Sequence, residues 1–93
     1  MAVQLERGGY DYAIRDYDRL LGQYQNRADL YYNRGCAHLA AGRLQEALGD
    51  FTKSVELNET WNLAWNNRGT TLARIFLIQI FGGLADVPFE GCS

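Results

Sequence analysis

Shifted by 34 places, this sequence falls on itself. Gly8 lands on Gly42, Tyr10 on Leu44, Ala13 on Ala47, Ile14 on Leu48, Asp16 on Asp50 and Tyr17 on Phe51. Further along, Tyr31 lands on Trp65, Asn33 on Asn67, Arg34 on Arg68 and Gly35 on Gly69. A period of this length constrains the fold more than any local propensity does. Each unit is too small to enclose its own apolar face and must stack on its neighbours.

Within the period the apolar spacing is helical. Leu44, Ala47, Leu48, Phe51 and Val55 recur at threes and fours, the stripe of an amphipathic helix. Leu30, Tyr31, Cys36, Ala37 and Ala40 predict a second helix before it. Between them stands only Ala41-Gly42-Arg43, the length of a tight turn between antiparallel helices. Gly42 is suited to the left-handed conformation that ends a helix, and Gly8 is expected to do the same one period earlier. The expected helices are 10–22, 28–41, 44–57 and 61–81, an all-α chain of helical hairpins.

These residues resemble the tetratricopeptide repeat, a module of helix A, turn and helix B. Its complete copy here runs Ala28 to Trp61, with Tyr31, Gly35, Gly42, Ala47 and Phe51 at the positions that carry the likeness. A following copy opens with Trp65 and Gly69, and a preceding one is represented from its middle by Ala13 and Tyr17. Gly35, Gly69, Ala13 and Ala47 are expected to be small because helix backbones approach closely there. Tyr31, Trp65, Tyr17 and Phe51 are expected to fill the space between hairpins. The departures are Arg34 and Arg68 for leucine, His38 for tyrosine, Ser54 for alanine and Glu59 for proline. The resemblance implies antiparallel hairpins stacked in a right-handed superhelical array. On that reading 1–74 is the array, divided into a half repeat 1–27, a full repeat 28–61 and helix A of the next repeat 62–74.

After Arg74 the register fails. The turn glycine is replaced by Phe76 and the small alanine of helix B by Phe81, while Pro88 falls where helix B should continue. Proline inside a helix costs about 3 kcal/mol, so an ordinary helix B is not expected. Residues 75–93 read as an apolar extension, IFLIQIF, followed by a loosely ordered tail that begins at Gly82-Gly83. Either helix 4 runs long and packs its excess on helix 3 or another molecule, or Ile75, Phe76, Ile78 and Phe81 mediate self-association into a homo-oligomer.

The resemblance also implies a function: a protein–protein interaction scaffold that takes a peptide or partner helix on the concave face lined by helices A. Carried onto this sequence, that face holds Asp29, Tyr32, Asn33, Cys36 and Leu39, then Leu63, Asn66, Asn67, Thr70 and Ala73. Asn33 and Asn67 are either a short ladder of amides gripping a peptide backbone, as in some members of the family, or local packing residues. Arg34 and Arg68 either reach acidic groups of a partner or cover apolar surface with their stems. A clamp for acidic peptide termini is not expected, because the groove positions Leu63, Asn66 and Thr70 include no lysine.

Enzyme chemistry finds little here. The single histidine, His38, lies two residues from Cys36, so on a helix the two point about 200° apart and form no nucleophile–base pair. Asp16 and Asp50 read as exposed helix residues. Two cysteines, Cys36 and Cys92, stand 56 positions apart, match no metal or redox spacing, and read as unpaired thiols. No cofactor, metal or small-molecule substrate is expected. A net charge of −2 without a basic stripe argues against a nucleic-acid partner. The absence of a long apolar run argues against a membrane one, so a cytoplasmic location is expected.

Overall fold

The computed structural model describes residues 2–81, with side chains from residue 9 onward. Its four α-helices are α1 (Ala2–Gln23), α2 (Ala28–Ala40), α3 (Leu44–Leu57) and α4 (Asn62–Phe81). The substantial packing is between sequence neighbours, α1 on α2, α2 on α3 and α3 on α4. The chain is therefore an all-α array of helical hairpins, and α2, α3 and α4 begin and end within one residue of the expected bounds.

The α2–α3 hairpin shows how residue identity sets geometry. Gly42 takes φ +83°, the only positive φ among the described residues. That conformation lets its N–H donate to the Leu39 carbonyl at 3.0 Å and lets the Arg43 N–H donate to the His38 carbonyl at 2.8 Å. Two carbonyls left open by the end of α2 are thereby satisfied, and the chain reverses. Phe51 then enters from α3, wholly buried, against Leu39 and Ala47, with Tyr32, Cys36 and Leu44 around it. Removing a ring of that size from water contributes about 2–3 kcal/mol. Gly35 makes room for it: a Cβ there would stand 2.8 Å from Phe51 Cε1 and 3.2 Å from Asp50 Cβ.

Two departures from the repeat pattern have local explanations. Ser54, in place of alanine, is fully buried and donates its hydroxyl to the Ala28 carbonyl at 2.9 Å, tying α3 to the start of α2. Glu59, in place of proline, sits in a turn held by Asn58, whose Oδ1 accepts from the Thr60 hydroxyl at 3.0 Å. The Glu59 carbonyl accepts from the Trp65 indole N–H at 2.7 Å, which anchors α4 to the turn.

Elsewhere the structure corrects the sequence reading. No turn forms at Gly8, because α1 is one helix of 22 residues that runs through it. Extending an existing helix adds a hydrogen bond for each residue fixed, whereas a reversal is stabilised only by a helix that packs back. Among the described residues α1 packs substantially on α2 alone. Gly69 has no close approach either: a Cβ there would meet nothing within 4 Å. Asp50 is buried, while its counterpart Asp16 is exposed as expected. Leu39 belongs to the core around Phe51 rather than to a groove. Cys36 is disulfide-bonded, not a free thiol; distance along the sequence says little about proximity once helices stack. The expectations for Gly82-Gly83, Pro88, Cys92 and the rest of the tail lie outside the described residues.

Candidate concave cleft and the ion network behind it

The outward face of α2 meets α1 and the start of α4 around an open cleft of about 580 Å³. Its lining includes Tyr10 and Tyr17 from α1, Tyr32, Asn33 and Cys36 from α2, and Leu63 from α4. Rings, an amide and an aliphatic side chain thus share one concavity, the mixture that binds an amphipathic segment.

The expected groove residues sort into three environments. Asn33, Asn66 and Thr70 are exposed. Tyr32 is half-buried, its ring centroid 4.6 Å from that of Trp61 and 5.8 Å from that of Phe51. Its hydroxyl accepts from Asn67 Nδ2 at 2.8 Å. Asn67 itself is only 1% exposed, so it is not a groove amide available to a partner. The two-membered ladder is thereby corrected: Asn67 is enclosed because α2 stands beside α4, and Asn33 is open because no described helix stands on the other side of α2. Thr71, rather than Thr70, turns inward and donates its hydroxyl to the Asn67 carbonyl at 2.7 Å.

Asp29 lies apart from this cleft, in a concavity shared with Asn58 and Trp61, and is held by Arg27 through two hydrogen bonds of 2.9 and 2.6 Å and by the N–H of Leu30 at 3.0 Å. The Arg27 guanidinium holds its carboxyl below the ordinary carboxylate range. Of the apolar extension, Phe76, Ile80 and Phe81 are more than half exposed. Ile75 and Ile78 flank a smaller cleft of about 350 Å³ beside Leu44 at the start of α3.

Behind the cleft lies a network the sequence reading missed. Arg34 donates to both oxygens of Asp50, Nε at 2.9 Å and Nη2 at 2.7 Å, and through Nη1 to Asp18 at 2.7 Å. The Asp50 hydrogen bond foremost, against a burial cost, raises the Arg34 guanidinium further above its ordinary value. His38 Nε2 stands 3.7 Å from Asp50, and its Nδ1 is buried with no hydrogen-bond partner. One period on, Arg68 Nε donates to Thr52 Oγ1 at 2.9 Å, and Thr52 is the residue that matches Asp18. Each arginine also lies over the ring three residues before it, Arg34 over Tyr31 at 5.6 Å and Arg68 over Trp65 at 6.0 Å. The repeated arginine is therefore a fastener between successive helices. The legible signal was Asp50 itself, a carboxylate on the apolar stripe of α3 beside Phe51.

Among the described residues, no group of three or more His, Cys, Asp or Glu side chains is placed to hold a metal ion. No described helix is long and apolar enough to cross a membrane. The model of the tetratricopeptide repeat family matches residues 28–60. No curated protein and no solved structure matches the chain.

Proposed function

We propose that the chain, whose residues 28–60 match the tetratricopeptide repeat family, is a protein-interaction scaffold whose cleft between α1, α2 and α4 receives a helix or extended peptide of a partner. The observation that carries this reading is the open concavity of about 580 Å³, in which the exposed amide of Asn33 stands among Tyr10, Tyr17 and Leu63. The rings offer apolar area at low entropy cost, and the amide both donates and accepts. Tyr32 and Cys36 line the same concavity, and Asn67 donates to the Tyr32 hydroxyl from α4. The reading involves no catalytic step and no cofactor.

The test is selection of a displayed peptide library on the full chain, followed by titration of the selected peptides. Binding that weakens at least tenfold in Asn33→Asp and in Tyr17→Ala, with helicity unchanged, supports the cleft; about 1.4 kcal/mol of interaction corresponds to that factor. Selected peptides that bind both variants as tightly as the parent sink it.

A second reading, self-association, is favoured by the exposure of Phe76, Ile80 and Phe81 at the end of α4. Sedimentation velocity across a concentration series tests it: a single monomeric species at every concentration overturns it.

A further inference from the structure

The matched positions of the repeat define two half-built interfaces, and they are complementary. In the complete hairpin, α2 carries Tyr31, Arg34, Gly35 and His38 on successive turns, of which Arg34, Gly35 and His38 meet Asp50 and Phe51 of α3, on a stripe that also holds Ala47 and Ser54. The positions of α4 that match the α2 set are Trp65, Arg68, Gly69 and Leu72, and the same face continues through Phe76 and Ile80. Trp65, Leu72, Phe76 and Ile80 are exposed there, and nothing stands within 4 Å of where a Cβ on Gly69 would be. The positions of α1 that match the α3 set are Ala13, Asp16, Tyr17 and Leu20. Asp16 is two-thirds exposed, and its one ion pair among the described residues is a 3.4 Å contact with Arg19 on the same helix.

We propose that a second copy of this chain covers α4, its α1 lying antiparallel so that Arg68 meets Asp16 and Gly69 receives Tyr17 of the neighbouring copy. This deepens the self-association reading and rests on it. Charge complementarity selects the occupant, since Arg68 and Asp16 repeat the relation in which Arg34 Nη2 and Asp50 stand 2.7 Å apart. Size complementarity does the same, since Gly69 and Tyr17 repeat the fit of Gly35 to Phe51.

Helix length agrees. The register that seats Phe51 on Gly35 sets residues 62–81 of one copy along residues 5–24 of the next, all of them helical except Tyr24. Both helices overrun the repeat pattern, α1 past Gly8 and α4 past Arg74, and in this register the two overruns lie side by side. The same stacking brings Asn66 of the incoming α4 to the exposed Asn33, as Asn67 comes to Tyr32 within one chain. The contact is heterologous, with different surfaces on the two copies, so it continues from copy to copy rather than ending at a two-fold dimer.

The experiment is sedimentation velocity on the full chain and on three variants, Asp16→Arg, Arg68→Asp and Gly69→Phe, with circular dichroism confirming helicity. The parent forms species whose size grows with concentration beyond dimer. Each variant alone weakens association at least tenfold, the scale of a misplaced like charge or a blocked socket. In an equimolar mixture of Asp16→Arg with Arg68→Asp, contacts between like variants stay repelled, while both mixed contacts are restored, one with the original charges and one with them exchanged. It therefore yields alternating species whose size grows with concentration as the parent's does, while each variant alone does not. Gly69→Phe covers the case in which Arg68→Asp is disturbed through the loss of its Thr52 contact, since among the described residues a Cβ on Gly69 would meet nothing within 4 Å.

A closed dimer at all concentrations overturns the proposal, and so does a mixture that stays monomeric. Oligomers lost in Phe81→Lys but kept in Asp16→Arg and Gly69→Phe overturn head-to-tail pairing while leaving self-association standing. A monomeric parent overturns both.

Discussion

Helices α2 and α4 carry the same Asn-Arg-Gly triplet, at 33–35 and at 67–69, yet the two triplets live in opposite surroundings. In α2 the asparagine is exposed, the arginine grips a buried carboxylate and the glycine is pressed against a phenylalanine ring. In α4 the asparagine is buried, the arginine reaches a threonine, and the glycine faces open space. The residues are identical, so the difference comes wholly from which neighbouring helices are present. A repeat position specifies a relation between elements, and it becomes a structural fact only where both elements exist.

That contrast can be broken most forcefully at the carboxylates. Asp50→Ala removes the main partner of Arg34, itself largely buried, and is expected to cost about 3 kcal/mol of stability in urea denaturation. The matched Asp16→Ala is expected to change stability by less than about 0.5 kcal/mol, because a singly paired, exposed carboxylate contributes little. Equal effects from the two would mean that Asp50 is not an inter-helix fastener.

The glycines should differ in sign. Gly35→Ala drives a methyl group into Phe51 and is expected to lower stability by about 1–3 kcal/mol. Gly69→Ala meets nothing and removes backbone entropy from the unfolded chain, so it should raise stability by about 0.5–1 kcal/mol. Melting temperatures moving in the same direction would contradict the asymmetry.

The asparagines come next. Asn67→Ala leaves the Tyr32 hydroxyl without its donor and is expected to cost about 1 kcal/mol, while Asn33→Ala should stay within about 0.5 kcal/mol. Asn67→Ala as harmless as Asn33→Ala would place the α4 amide back on the surface.

The smallest effect sharpens the comparison at Asp29, whose match in α4 is Leu63. Its carboxyl is held below the ordinary range in the folded chain by Arg27. The stability it contributes is therefore complete above the ordinary value, near ~4, and is lost as pH falls through the lowered one. Asp29→Asn should be slightly less stable than the parent at neutral pH and indistinguishable from it in strong acid. A gap that widens on acidification would reverse the sign of the argument.

The 34-residue period was enough to place three helices within a residue and the Gly42 turn between them. Those features depend on local pattern and on contacts between adjacent helices, both of which a period records. It was not enough for Gly8 or Gly69, because the pattern marks where a partner helix belongs and carries no information on whether one is there. Asp50 and Asn67 were misjudged for a different reason. Polar side chains at helical positions are usually solvated, and their burial follows from a specific partner on another helix, Arg34 as donor to Asp50 in one case and the Tyr32 hydroxyl as acceptor from Asn67 in the other. The disulfide at Cys36 was illegible because cysteine spacing bears on proximity only when the path of the chain is known.

Because α1, α2, α3 and α4 each pack chiefly on the helix next in sequence, no long excursion of the chain has to be closed before stabilising contacts form. Such a molecule opens from its ends by fraying rather than all at once. Amide hydrogen exchange should then read as a gradient, slowest in the backbone around Phe51 and fastest toward the outer turns of α1 and α4. Whatever covers either end helix would slow exchange in that helix first, and in the central hairpin only afterwards.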